Sequence, residues 1–161
     1  MTLAKDSKVG FTAHQTFSAT EGQFKRFDGT FLIDRGALGK SKITVRIDAA
    51  SIDTDNGSRD EHLRNPDFFD VKKYPHIIFK STQIAAKAGD RVKVKGTVTV
   101  KDKTVPVSFD MKLEWGSDGA VRARGQMTLS RNKLGITYET PFYAPTLKDN
   151  VNLSMDVRLK P

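Results

Sequence analysis

The chain of 161 residues contains no cysteine and only one tryptophan. Without cysteine, a disulfide framework, a thiolate nucleophile and a zinc–thiolate centre are all excluded. No apolar run approaches the roughly 18 residues that a membrane-spanning helix requires. The remaining composition, 37% hydrophobic and 29% charged residues, is that of an ordinary globular protein. The length suits one domain over residues 1–161.

Acidic residues are fewer than basic ones, 19 against 27, which gives a formal net charge of +8. Such an excess can serve nucleic-acid or anionic-membrane binding. However, the basic residues form no run and no basic helix; they alternate along predicted strands, as at Lys93, Lys95, Lys112, Arg122, Arg124, Arg158 and Lys160. We therefore predict dispersed surface charge and no specific nucleic-acid binding. A polyanion- or anionic-membrane-surface-binding module is the alternative.

Hydrophobic residues recur at every second position over most of the chain. The clearest run comprises Val105, Val107, Phe109, Met111, Leu113 and Trp115. This period is typical of antiparallel strands with one buried face. Turn residues at Asp28-Gly29, Asn56-Gly57, Gly89-Asp90 and Ser117–Gly119 divide the chain into about eight strands.

Long strands joined by short turns must form a sandwich or close into a barrel, and strand length favours the barrel. A barrel of about eight strands can be filled by side chains or can hold one small ligand. Periodicity leaves both possibilities open.

One segment, SRDEHLRNPDFFDVKKYPHIIF (residues 58–79), interrupts the strands. Ser58 and Glu61 have the spacing of a capping box, and Pro66 limits the helix to about two turns, so we predict a short helix near residues 59–65. Phe68 and Phe69 follow side by side. We expect this segment to cover one end of the barrel, with one ring anchoring it and the other facing the lumen mouth.

Catalytic and metal-binding patterns are scarce. The histidines His14, His62 and His76 lack metal-ligand spacing, and no Gly-x-Ser-x-Gly elbow occurs. The segment DRGALGKS (residues 34–41) ends like a phosphate-binding loop, but it lacks the first glycine and leads into a strand. We therefore predict no catalytic residue, no metal and no cofactor. An enzyme acting on a lumenal lipid is a less favoured alternative.

The same interrupting segment carries a family resemblance. Its motif comprises Ser51-Ile52, Thr54, Arg59-Asp60, His62-Leu63, Phe68-Phe69-Asp70-Val71, Tyr74-Pro75 and Phe79-Lys80-Ser81. This pattern resembles the YceI-like family, the lipocalin-like polyisoprenoid-binding proteins of bacteria. Residues 21–29, 94–113 and 129–136 are similar to further family elements, although Leu134 stands where the family often has phenylalanine.

The resemblance implies an all-β fold with a single antiparallel lipocalin-like barrel. It also implies non-catalytic binding of a long isoprenoid, an isoprenoid quinone or a similar amphiphile, in transport, storage or stress protection. A homodimer is possible. The first residues, MTLAKDSKVGF, lack the apolar core of a secretory signal. We accordingly expect a mature periplasmic or secreted protein, with a cytoplasmic location as the alternative.

Ten phenylalanines suit such a lumen, because phenylalanine adds apolar area without a polar atom to satisfy. From strand alternation and the resemblance we predict a ligand-binding lining. It comprises Phe11, Phe24, Phe31, Val45, Phe68, Phe69, Phe79, Val107, Phe109, Met127, Leu129, Leu134 and Ile136. The resemblance assigns no ligand contact to Arg59, Asp60 or His62, and we expect them to cap and pin the helix.

Overall fold

A computed structural model describes all residues 1–161, which form eleven antiparallel strands and one α-helix. The elements in chain order are β1 (Thr2–Leu3), β2 (Lys8–Gln15), β3 (Ala19–Phe24), β4 (Phe27–Leu32), β5 (Lys42–Asp48), β6 (Ile52–Asp53), α1 (Gly57–Arg64), β7 (His76–Ala86), β8 (Arg91–Val100), β9 (Lys103–Trp115), β10 (Val121–Ser130) and β11 (Leu147–Lys160). Hydrogen-bonded neighbours follow the order β4-β5-β7-β8-β9-β10-β11-β2-β3-β6, and β1 pairs with β11.

The sheet curls because each of its two end strands, β4 and β6, directly follows an inner strand along the chain. β3 leads through Lys25 and Arg26 into β4, and β5 leads through a short 3-10 turn into β6. The Lys25 N–H donates to the Ser51 carbonyl at 3.1 Å, and the Asp48 N–H donates to the Arg26 carbonyl at 3.0 Å. The predicted all-β, antiparallel, lipocalin-like fold with one helix is confirmed. The strand count exceeds the predicted eight partly because β1 and β6 have only two residues each.

Period-two alternation places the core on the inner face of the curl. In β8, Val92, Val94, Val98 and Val100 are all buried. On the outer face, basic residues pair across strands: Arg122 with Asp156 at 2.7 Å, Arg124 with Glu114 at 2.7 Å and Lys93 with Asp110 at 3.0 Å. Hydrogen bonds from the Lys87 and Lys93 ammonium groups lower the pKa of the Asp110 carboxyl, and the bond from Lys87 has the larger effect. Much of the basic excess is thus dispersed over a solvated face, where ion pairs contribute little to stability.

Two predicted turns are wrong: Asn56-Gly57 begins the helix, and Asp28-Gly29 continues a strand. Asp28 and Gly29 lie inside β4, where Gly29 pairs with Val45 of β5. A Cβ atom on Gly29 would lie 2.7 Å from the Phe31 ring. The glycine therefore makes room for a core aromatic side chain, and the chain does not turn there.

The helix begins earlier than the sequence pattern indicates. Asn56 is its N-cap, because the Asn56 side chain accepts a hydrogen bond from the Arg59 N–H at 3.0 Å. The predicted Ser58 cap is wrong, and Ser58 lies in the first turn. Asn65 ends the helix in an extended conformation, as the residue before a proline favours. No helix in the protein has both the length and the apolar character to cross a membrane.

Candidate functional site

The interior of the curled sheet contains two separate spaces. The larger, with a volume of about 410 Å³, opens at the end that carries α1, and we call it the outer cavity. The smaller, of about 40 Å³, lies toward the opposite end and is the inner cavity. The outer cavity falls within the range of about 300–1,000 Å³ that is typical of small-molecule sites.

The wall of the outer cavity is mainly apolar, with 18 hydrophobic residues among 25. Phe11 shows how the sheet accommodates a large ring: it pairs with Gly22 of β3, and a Cβ atom on Gly22 would lie 2.4 Å from Phe11 Cζ. Glycine at that position therefore lets the ring lie flat against the neighbouring strand.

The predicted lining residues divide between the two spaces. Those in the wall of the outer cavity are Phe11, Phe24, Phe68, Phe69, Leu129, Leu134 and Ile136. Those in the wall of the inner cavity are Phe31, Val45, Phe79 and Phe109. Val107 packs against the core and Met127 is buried within it, and neither lines either space.

The predicted lining residues therefore do not surround one common space. The Phe79 and Phe109 rings contact each other, with centroids 5.8 Å apart. On the inward face of β10, buried Met127 stands between Ala123 of the inner cavity and Leu129 of the outer one. Side chains at this level fill the interior and separate the two spaces.

Several wall residues were missed by sequence reasoning. The alternation in β11 could have identified Val151 and Leu153, because both follow the same period as the buried residues of that strand. Tyr138, Pro141 and Ala144 lie in an irregular segment between β10 and β11, where no periodicity could indicate their position.

Phe68 and Phe69 both line the outer cavity. Phe68 is 9% exposed, and its ring centroid lies 5.0 Å from those of His62 and Tyr138. The Phe69 ring packs edge-on against Phe24 at 5.9 Å. Phe68 is the more deeply buried of the two, yet both rings belong to the cavity wall, because residues 65–70 form tight turns in which neighbouring side chains need not alternate. The expected division into one anchoring ring and one lumenal ring stays a prediction.

The polar motif residues fasten α1 to the chain segments on either side of it. The Asp60 carboxylate accepts hydrogen bonds from the Thr54 N–H at 2.9 Å and the Thr54 hydroxyl at 2.5 Å. Arg59 donates from Nε to Thr54 Oγ1 at 2.8 Å and from Nη2 to the Thr54 carbonyl at 2.7 Å. His62 Nε2 lies 2.8 Å from Asp67 Oδ2. These contacts hold the helix over the outer cavity, which agrees with the expected pinning role, whereas the capping role belongs to Asn56.

Arg131, which is 4% exposed, holds the opposite side of the cavity mouth. Its guanidinium donates to the carbonyls of Ile136, Tyr138, Leu147 and Lys148 at 2.8–3.1 Å. These carbonyls belong to both ends of the irregular segment, so one side chain fixes its path.

Asp149 supports the same corner of the structure. The Asn132 N–H and the Ser130 hydroxyl donate to its carboxylate and lower its pKa. A lowered pKa means that this contribution to stability is complete above the unfolded-state pKa of about 3.9 and is lost as the pH falls through the folded-state value.

The polar groups of the outer cavity are mostly engaged with the protein itself. Gln15 Nε2 donates to Thr20 Oγ1 at 3.0 Å, and Arg131 is saturated by carbonyls. No group of three or more His, Asp or Glu side chains is placed to hold a metal ion. The arrangement can bury an apolar chain, and Arg59 and His62 are among the few polar residues of the wall.

Known proteins share this architecture. BcnA of Burkholderia cenocepacia superposes with a TM-score of 0.89 at 24% identity, with 96% of each chain covered. A polyisoprenoid binding domain from Saccharophagus degradans superposes with a TM-score of 0.79 at 13% identity, covering 99% of this chain and 98% of that one. At these identities the likeness shows the fold alone.

Sequence relatives establish the family. Protein YceI of Escherichia coli O157:H7 is 37% identical over 123 residues, which are 72% of this chain and 64% of that protein. The chain thus spans less than two thirds of the length of this curated relative. The family model for the YceI-like domain matches residues 2–159. The chain belongs to the YceI-like family.

Proposed function

We propose that the protein binds a long-chain isoprenoid or a similar amphiphilic lipid in the outer cavity, without catalysis, as a carrier or a store. The observation that carries the proposal is an apolar cavity of about 410 Å³ that is open at one end. The polyisoprenoid-binding neighbour with the same fold supports this choice of ligand class.

The hydrophobic effect alone can supply the affinity. Each buried CH₂-sized group contributes about 0.8 kcal/mol, so a five-carbon unit contributes about 4 kcal/mol before ordering costs. A few units are then sufficient for micromolar binding. No polar side chain has to react with the ligand, and an enzyme acting on a lumenal lipid would instead turn over what it binds.

The division of the interior limits the length of chain that binds without rearrangement. A short chain fits the outer cavity as it stands. A longer chain has to displace Met127, Phe79 and Phe109 to reach the inner cavity. These are side chains rather than backbone, and methionine in particular adapts its shape readily.

The proposed carrier acts in the periplasm or outside the cell, where a lipid that leaves a membrane meets water. The alternative, a polyanion-binding module, predicts an affinity that falls steeply with salt. Binding to an apolar cavity is largely indifferent to salt, so the two functions separate in a salt titration.

The direct experiment is to purify the protein, record its native mass, extract it with organic solvent and identify the extract by mass spectrometry. We expect a stoichiometric apolar ligand with a long hydrocarbon chain. Protein that yields no such ligand, and that does not take up a polyprenol or an isoprenoid quinone when these are offered, would contradict the proposal.

Filling the cavity should weaken binding. Ala13 lines the outer cavity, and we expect Ala13→Trp to lower the retained lipid about tenfold, because the indole occupies space that the ligand needs. Thr12→Trp is the matched control, since its side chain points to the other face of the same strand. Equal lipid retention by the two variants would show that the ligand lies elsewhere.

A further inference from the structure

Large apolar side chains are exposed chiefly at the mouth of the outer cavity. Four such residues are exposed in the protein, and three of them are Phe17 at 93%, Phe142 at full exposure and Tyr143 at 80%. Phe17 lies in the turn between β2 and β3, and the other two lie in the segment between β10 and β11. We call these three side chains the rim aromatics.

The two loops that carry the rim aromatics are neighbours in space. The Thr146 N–H donates to the Thr16 hydroxyl at 3.0 Å, and Gln15 pairs with Leu147. The Phe142 and Tyr143 rings lie 5.6 Å apart. The rim aromatics therefore belong to one edge of the molecule, although Phe17 and Phe142 are far apart in sequence.

This edge borders the opening of the outer cavity. Pro141 and Ala144, which flank Phe142 and Tyr143, line the cavity, and so does Gln15, two residues before Phe17. In these two loops Gln15, Pro141 and Ala144 therefore face the cavity, whereas the rim aromatics face solvent.

We infer that the rim aromatics insert into the interfacial region of a lipid bilayer, so that the ligand passes between the bilayer and the outer cavity without crossing water. This inference rests on the proposed function. Aromatic rings favour the membrane–water interface, where an apolar body and a polar tip such as the Tyr143 hydroxyl are both accommodated.

Charge at the same end of the barrel favours a bilayer with anionic lipids. Lys103, Lys133 and Lys148 are exposed on the strand ends and loops around the opening, and none of them forms an ion pair. Two acidic groups there are engaged, since Glu139 lies 3.4 Å from Arg131 and Asp149 accepts from Ser130 and Asn132, whereas Asp102 beside Lys103 is exposed and forms no ion pair. Unpaired lysines near a membrane surface attract anionic headgroups.

A protein partner fits this surface less well. A stable protein interface buries about 800 Å² on each side and needs a complementary shape. The rim aromatics offer three side chains on two loops, surrounded by polar groups. A bilayer requires no shape complementarity, and it is also where a long-chain lipid resides.

The test is co-sedimentation with vesicles made of equal parts phosphatidylcholine and phosphatidylglycerol. The variant replaces Phe17, Phe142 and Tyr143 together with serine, and we expect its vesicle-bound fraction to fall about tenfold. Leu32→Ser is the matched control, because Leu32 is the fourth exposed large apolar residue and lies on β4, away from the mouth. Its binding should equal that of the parent protein.

Two results would overturn the inference: a parent protein that does not bind the vesicles, or a triple variant that binds them as well as the parent. A parent protein that is dimeric while the triple variant is monomeric, with neither bound to vesicles, would assign the surface to a second copy instead. Solvent extraction of the same preparations separates this inference from the proposed function. If the parent contains lipid but does not bind vesicles, only the docking is refuted. If the parent binds vesicles through its aromatic residues but neither contains lipid nor takes up an offered polyprenol or isoprenoid quinone, only the carrier function is refuted.

Discussion

Replacing Arg131 with methionine is expected to lower the free energy of unfolding by about 3–5 kcal/mol. The side chain is buried, and it donates to four backbone carbonyls around the cavity mouth. Methionine keeps much of the volume but removes every donor. The carbonyls that cannot reach water would lose their hydrogen bonds, and the segment from Ile136 to Leu147 would lose its common anchor. Urea unfolding monitored by circular dichroism measures the change.

The matched control is Arg124→Met on the outer face of β10. Arg124 Nη2 also donates to both carboxylate oxygens of Glu114, at 2.7 and 2.8 Å, but both side chains are exposed to solvent. Exposed pairs contribute little, so this variant should unfold close to the parent. Similar losses for the two arginine variants would refute the role of Arg131 as a buried clamp.

Truncating Phe68 to alanine is expected to cost about 3–5 kcal/mol of stability and to release the lipid that we propose binds in the outer cavity. The ring is buried between His62 and Tyr138, so its removal leaves a void at the point where α1 meets the irregular segment. The same void widens the mouth of the outer cavity. Thermal unfolding and the amount of extracted lipid report the two effects separately.

Phe69→Ala tests the loss of a cavity contact while the buried Phe68 ring stays in place. Phe69 is half-buried and packs on Phe24 inside the cavity, so we expect a smaller loss of stability together with weaker lipid retention. Phe142→Ala serves as the neutral control for stability, since that ring is fully exposed. Full lipid retention in both the Phe68 and the Phe69 variants would show that the helix segment is only a connection between strands.

Strand alternation allowed the fold to be predicted because side-chain direction along a strand depends only on the local backbone. Val92, Val94, Val98 and Val100 face the core for this reason, and no distant contact is needed to foresee it. The long motif around the helix is also contiguous in sequence, which is why it carried the family resemblance. Seven of the predicted lining residues accordingly lie in the wall of the outer cavity.

Features that depend on distant contacts were decided only by the tertiary structure. Asparagine and serine are both suitable N-cap residues, and only the structure shows that Asn56 rather than Ser58 accepts the hydrogen bond of the Arg59 N–H. The division of the interior follows from rings on different strands meeting, as Phe79 of β7 meets Phe109 of β9.

The cavity mouth is the clearest example of a feature that depends on contacts between residues far apart in the sequence. Arg131 binds carbonyls up to 17 residues away, and Thr16 meets Thr146 across 130 residues of chain. Alternation predicts which face of its own strand a residue occupies, but it carries no information about which loops become neighbours when the sheet curls. The sequence by itself therefore determined an apolar interior with one short helix, whereas the curling of the sheet placed the opening, its buried arginine and its exposed aromatic rings together.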